Sequence, residues 1–209
     1  MSSLSAGVLQ PLRDAVGVDG VLVDAADCHV YGYDNSKRHA TPDAVLLPRS
    51  HDAVVALVRV CRDAGLPMVA RGRGTNTTGA SVPVAGSVVV SFERMDRILR
   101  IDTANRLAIV EPGVLNGTLQ EALAVHGFFW GPDPTSAPFS TVGGNLACNA
   151  GGPRTVKYGA SRDNVLALRA VDGAARAFRC GAPTSKRAVG YDLTRLLVGA
   201  EGTLALITE

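Results

Sequence analysis

The stretch from Val45 to Gly79 limits the possible folds more than any other part of the chain, because a strand, an amphipathic helix and a second strand follow one another there. Val45-Leu46-Leu47 is apolar throughout. Ser50 can cap a helix whose apolar face is Val54, Leu57, Val58 and Cys61 and which stops at Gly65. Pro67-Met68-Val69-Ala70 reads as the second strand, and the glycine-rich loop Arg71-Gly72-Arg73-Gly74-Thr75-Asn76-Thr77-Thr78-Gly79 leaves it directly.

Gly72, Gly74 and Gly79 permit backbone conformations closed to other residues and keep side chains out of the way, so consecutive N–H groups can converge on one anion. Arg71 and Arg73 add positive charge, and Thr75, Thr77 and Thr78 add hydroxyl donors. The loop suits a diphosphate. It matches neither the G-x-G-x-x-G dinucleotide fingerprint nor the P-loop, since the third glycine comes too late for one and the lysine is missing for the other. Taken alone, a flexible surface loop explains it equally well.

With 209 residues and 46% hydrophobic content, the chain can bury a substantial core. Its net charge of +2 is small and its basic residues are scattered, which excludes a nucleic-acid footprint. No apolar run approaches the ~20 residues of a membrane span, and the N-terminus lacks a leader pattern, so a soluble, cytoplasmic protein is expected. Cys28, Cys61, Cys148 and Cys180 have no metal or dithiol spacing and read as reduced, mostly buried thiols. His29, His39, His51 and His126 likewise lack ligand-like spacing, so no metal site is expected and none of them is assigned as a catalytic base.

Residues 1–44 read as a lead-in packed on the domain, with a weak helical pattern broken by Pro11 and Gly17. Beyond the loop, residues 87–92 and 107–110 are strands, 119–125 is a helix, 165–171 and 177–180 are strands, 193–198 is a short helix and 203–208 a closing strand. Between Gly131 and Asp163 no period is sustained, and so long an irregular stretch usually has a function. It holds a rigid turn at Pro132-Asp133-Pro134-Thr135 and polar glycine turns at Thr141-Val142-Gly143-Gly144-Asn145 and Asn149-Ala150-Gly151-Gly152. Thr141, Asn145 and Asn149 can hydrogen-bond a neutral heterocycle or ribityl chain, although turns use the same residues for structure alone. Glu201, between Gly199 and Gly202, can accept bonds from a ligand or from nearby backbone.

As an ordered set, Arg71-Gly72-Arg73-Gly74-Thr75, Pro132-Asp133-Pro134, Thr141-Val142-Gly143-Gly144-Asn145, Asn149-Ala150-Gly151-Gly152, Lys157-Tyr158-Gly159, Gly190-Tyr191-Asp192-Leu193 and Gly199-Ala200-Glu201-Gly202-Thr203 resembles the FAD-binding domain of the vanillyl-alcohol oxidase, or p-cresol methylhydroxylase (PCMH), superfamily. The branch it is most similar to contains D-lactate dehydrogenase, D-2-hydroxyglutarate dehydrogenase and the FAD-binding subunit of glycolate oxidase. The resemblance implies an α+β PCMH-type domain over residues 45–209, with lobe one near 45–100, lobe two from about 105, and FAD extended between them. It implies that Arg71, Gly72, Arg73, Gly74, Thr75, Asn76, Thr77 and Gly79 hold the pyrophosphate. Pro132, Asp133, Thr141, Gly144, Asn145 and Asn149 would line the rest of the cofactor, and Glu201, Gly202 and Ile207 would close over it. Some relatives attach FAD through a histidine at the place of Thr75, so non-covalent FAD is expected here.

Chains of this branch continue into a cap domain that supplies the substrate-binding and catalytic groups. This one stops at Glu209, which implies that the cap is absent. Residues 171–175 also depart from the Pro-Asp-Gly hairpin usual in the family. Three functions follow. The first is oxidation of a D-2-hydroxy acid such as glycolate or D-lactate by hydride transfer to flavin, with an iron–sulfur or other electron-transfer subunit as a possible acceptor. The second is an FAD-binding module that is not catalytic without a cap or partner. The third is an NADPH-dependent UDP-N-acetylenolpyruvoylglucosamine reductase-like enzyme, which the Pro-Asp-Pro and Asn-Ala-Gly-Gly pieces fit less well.

Overall fold

The structure is a computed structural model and describes residues 4–209. Its first lobe is built on a four-stranded sheet ordered β1-β2-β4-β3, from β1 (Val21–Leu22), β2 (Ala44–Leu46), β3 (Met68–Arg71) and β4 (Val88–Ser91). β2, β4 and β3 run parallel, in a register that aligns Val45, Val89 and Val69. β4 is buried along its whole length, as its unbroken run of valines requires.

The helix that crosses from β2 to β3, α3 (His51–Asp63), starts where Ser50 accepts the Ala53 N–H, and it buries Val54, Leu57, Val58 and Cys61 at helical spacing. α1 (Ala6–Val16) lies against it and buries Leu12 and Val16 in the same core. Pro11 does not break α1: only one i to i−4 bond is lost there, and the burial of Leu12 and Val16 beyond it holds the helix together. Gly17, at φ 85°, ends it. The lead-in is thus part of the lobe, since β1 adds an antiparallel strand to the sheet. α2 (Ala25–His29), capped by Asp24, follows β1.

The second lobe contains a hairpin of β5 (Ile98–Asp102) and β6 (Leu107–Val110), followed by α4 (Asn116–Ala124). It also has a sheet ordered β8-β7-β9, from β7 (Ala167–Asp172), β8 (Ala177–Gly181) and β9 (Ala205–Ile207). The hairpin, a sheet of its own, spans residues 98–110 and so straddles residues 100–105. Residues 171–177 form a regular turn, in which Asp172 accepts the N–H groups of Ala174 and Arg176 and Val171 faces Ala177. β7 has a period of two and serves two cores. Leu168 and Ala170 face the helices of lobe two, while Val171 joins Leu206 in the core of lobe one. Both strands therefore lock the lobes together.

The stretch 131–163 is not wholly irregular. It contains α5 (Val142–Ala147), α6 (Thr155–Tyr158) and α7 (Ser161–Asn164), so Thr141 to Asn145 is a helix start rather than a turn. α8 (Leu193–Leu197) is capped by Asp192 and precedes β9.

Candidate functional site

β3, in the parallel sheet, carries Arg71 at its carboxyl end, the side of such a sheet on which ligands sit. Arg71 is 93% buried by its 7% exposure, and its guanidinium points behind the loop, where Nη1 donates to the Tyr33 carbonyl at 2.6 Å and Nη2 to that of Val30 at 3.4 Å. It also lies over the rings of Tyr31 and Tyr33, at 5.8 and 5.9 Å. Burial pulls its pKa down, opposed by Tyr33 and Asp34. Gly74, at φ 65°, passes directly above: a Cβ there would lie 2.5 Å from Arg71 Nη2. Arg71 is therefore a brace under the loop, and the exposed Arg73 is the loop's free positive charge.

Asn76 fixes the far side of the loop. Its Nδ2 donates to Ser81 Oγ at 2.8 Å, and its carbonyl accepts the Asn35 N–H at 2.9 Å. Ser81 in turn donates to Asp34, a buried carboxylate that stays below its ordinary pKa because bonds from Ser36 and Ser81 outweigh the upward push of burial. Asn35 Nδ2 also donates to the Thr75 carbonyl. Among the described residues, the consecutive amides of Gly72 to Thr77 have no hydrogen-bond partner within the protein. That is a row of donors on a braced loop, suited to the oxygens of a diphosphate.

α5 approaches the loop from lobe two. Thr141 caps it by accepting the Gly144 N–H at 3.1 Å, and a Cβ on Gly72 would come within 2.5 Å of the same Thr141 oxygen. Between the two lies a solvent-open cleft whose walls include Gly72, Asn76, Thr141, Gly144, Glu201 and Ile207. Arg71 and Gly202 line it as well; Gly202, at φ 79°, packs against Ala70. Glu201, itself at φ 52°, is held by its N–H on the Ala147 carbonyl.

Pro132, Asp133, Asn145 and Asn149 are not cleft walls. Asp133 is committed to the next turn, accepting the Arg154 N–H at 3.0 Å and pairing with its Nε at 3.3 Å. Asn149, at φ 49°, gives its Oδ1 to the Arg162 N–H. The Pro132 carbonyl accepts from Asn116 Nδ2 at 3.1 Å. Arg73, Gly74, Thr75, Thr77 and Gly79 belong to the loop without lining the cleft.

Asn116, Ser140, Trp130, Cys148, Phe92 and Pro112 escaped the sequence reading of the site, whereas Asn145 was named there. Asn116 is fully buried at the start of α4, and its Oδ1, Ser140 Oγ, Trp130 Nε1 and Asn145 Nδ2 are buried without partners. An asparagine on an otherwise apolar helix face was the available signal for Asn116. Cys148 lines the cleft, and Phe92 and Pro112 form its apolar floor. A braced anion loop with unpartnered backbone amides and close-packed glycines fits the pyrophosphate of an extended dinucleotide.

Fold and cleft together define an α+β cofactor-binding domain set between two lobes. The family described as FAD binding domain matches residues 42–181, and the chain belongs to it. FAD is that family's cofactor. The chain is 42% identical over 181 residues to glycolate oxidase subunit GlcD of Bacillus subtilis, covering 86% of this chain and 38% of the relative. It is 36% identical over 203 residues to D-2-hydroxyglutarate dehydrogenase of Stutzerimonas stutzeri, covering 97% of this chain and 44% of the relative. Among solved structures, an alkyldihydroxyacetonephosphate synthase superposes with a TM-score of 0.86 at 26% identity, over 99% of this chain and 39% of that one. The chain thus spans well under half the length of the relatives it matches. No helix among the described residues is long and apolar enough to cross a membrane.

Proposed function

We propose that this chain is the FAD-binding portion of an oxidoreductase that oxidises a 2-hydroxy acid such as glycolate, D-lactate or D-2-hydroxyglutarate. The observation that carries the reading is the row of unpartnered amides from Gly72 to Thr77, on the loop whose Gly72 and Asn76 wall the cleft opposite Thr141 and Gly144. Those amides and Arg73 take the pyrophosphate, while Arg71, Gly74, Asn76 and Gly79 keep the loop in shape. Thr141, Gly144, Glu201, Gly202 and Ile207 border the cofactor directly. Pro132, Asp133 and Asn149 act through the shape of their turns, and Asn145 offers its free Nδ2. Thr75 and Thr77 add hydroxyl groups beside the anion, and with threonine at 75 the cofactor is held without a covalent bond.

Bound FAD supplies a hydride acceptor. The chain's own residues bind and orient it and exclude water with Phe92, Pro112 and Leu206. Purified protein should bind FAD and show a flavin spectrum, and anaerobic addition of glycolate, D-lactate or D-2-hydroxyglutarate should bleach it. No flavin spectrum after reconstitution refutes the cofactor assignment.

A second reading is that the chain binds FAD but does not turn over substrate by itself, needing further polypeptide or an electron-transfer subunit. The 38–44% coverage of the relatives supports it. Bound flavin that none of the three acids bleaches is the outcome that selects it.

A further inference from the structure

Asp34 lies ahead of residues 42–181, which the FAD-binding family covers, and is buried against the far end of the anion loop. Its Oδ1 accepts the Ser36 N–H at 2.8 Å and its Oδ2 the Ser81 hydroxyl at 3.4 Å. An ionised carboxylate only accepts, so the one hydrogen of Ser81 Oγ is spent on Asp34. Towards Asn76 the same oxygen must then accept, and Asn76 Nδ2 donates to it at 2.8 Å. That leaves Asn76 Oδ1 facing Thr78, whose N–H and hydroxyl donate to it at 3.3 and 3.2 Å. The Thr78 hydroxyl in turn accepts the Ala80 N–H at 3.3 Å. Every hydrogen in this chain points towards Asp34, so a charge beyond Ser81 decides which way the Asn76 amide is turned. Turned over, that amide would aim Nδ2 at the Thr78 N–H, donor against donor.

The next residue works on the same stretch of backbone. Asn35 donates its N–H to the Asn76 carbonyl at 2.9 Å and its Nδ2 to the Thr75 carbonyl at 3.2 Å. The peptides of the described residues are all trans, and a trans peptide points its N–H opposite to its carbonyl. The two carbonyls face Asn35, so the N–H groups that share their peptides, those of Asn76 and Thr77, are directed away from it. Both belong to the unpartnered row of the loop.

We propose that Asp34 is a positioning residue of the cofactor site, resting on the FAD reading above: through Ser81 it orients the Asn76 amide, and with Asn35 it aims the Asn76 and Thr77 N–H groups at the diphosphate. It does so without touching the cofactor.

Asp34→Asn keeps the size of the side chain but leaves one acceptor oxygen for two donors. The Ser36 N–H is fixed by the backbone and keeps that oxygen, so the nitrogen faces Ser81, whose hydrogen swings to Asn76 and turns its amide over. FAD affinity is measured by flavin fluorescence, and the diphosphate of bound FAD by phosphorus NMR. Asp34→Asn should weaken FAD binding about tenfold, the worth of one hydrogen bond, and move the bound phosphorus signals towards those of free FAD. In flavin-free protein it should also shift the Thr78 N–H signal. Ser81→Ala cuts the same chain and should give the same pattern, so the outcome does not hang on one variant folding. Unchanged affinity, or weaker binding with the bound phosphorus signals unmoved, overturns the proposal. Wild-type protein that takes up no FAD overturns it together with the cofactor assignment, whereas wild-type binding that both variants match overturns the positioning role alone.

Discussion

Gly72→Ala is the sharpest probe of how the anion loop is held. The added Cβ would sit 2.5 Å from Thr141 Oγ1 and 3.7 Å from the Gly144 Cα, well inside contact distance of the first. Gly72 has no left-handed φ, so the cost is steric and not backbone strain. Two escapes exist. Thr141 can rotate its oxygen away and surrender the cap on Gly144, a loss of about 1 kcal/mol. Alternatively the loop and α5 move apart, at about 1–3 kcal/mol for overpacking. Either way Gly72→Ala should destabilise the fold by about 1–3 kcal/mol and weaken FAD binding, because the amides of Gly72 to Thr77 move with the loop. Thr141→Ala should cost about 1 kcal/mol by itself, yet it removes the obstructing oxygen. In that background Gly72→Ala should become nearly neutral, giving a coupling of about 1–2 kcal/mol. Urea unfolding of the four proteins, followed by fluorescence of the single tryptophan, Trp130, measures the cycle. Additivity within about 0.5 kcal/mol would falsify the contact.

Two further expectations concern titration and access. The Tyr31 hydroxyl donates to Glu93 at 2.9 Å, and burial followed by that bond pushes its pKa up to about 12 from 10.0. The folded state therefore keeps a proton that the unfolded state releases, so this contribution is complete below pH 10 and is lost as pH rises from 10 towards 12. Cys61, pushed up to about 12 by burial, acts with the same sign, so the tyrosine share is the difference between wild type and Tyr31→Phe. The urea midpoint of the variant should fall less between about pH 9.5 and 11.5; equal falls rule the assignment out. Among the thiols, Cys148 is exposed and lines the main cleft while Cys28, Cys61 and Cys180 are buried. An alkylating reagent should label Cys148 first, and FAD should slow the labelling; an unchanged rate would show that FAD binds elsewhere.

What the sequence made legible had local causes. Ser50 with Val54, Leu57, Val58 and Cys61 states a capped amphipathic helix by itself, and α3 forms on those residues. The glycines of the loop announced close approach, and Gly72 and Gly74 indeed leave no room for a Cβ. The helices inside 131–163 were invisible because they are four to six residues long, too short for a period to register. β1 is two residues long and exists only because β2 lies beside it. Pro11 carried a local rule that the buried Leu12 and Val16 override. His51 resembled any helix-start histidine, and only the return of the chain at Thr208 buries it. The misses at β1 and His51 depend on partners distant in sequence.

The loop's two arginines show how far that reaches into function. Residue type assigned both of them to the anion, and a cleft served by two guanidiniums would bind phosphate mainly through charge. The fold separates them: Arg71 spends its donors on the carbonyls of Val30 and Tyr33, and Arg73 alone stays free. In the proposed binding mode recognition falls to the backbone amides of Gly72 to Thr77, on a loop braced by the buried Arg71 below, by Asn76 and Ser81 at the side, and by Thr141 opposite Gly72. Amide donors discriminate by geometry where a flexible cation does not, which suits a cofactor held in one orientation. On the proposed reading, the buried Arg71 and Asp34 serve the site by holding the loop in shape, so that its amides keep one arrangement.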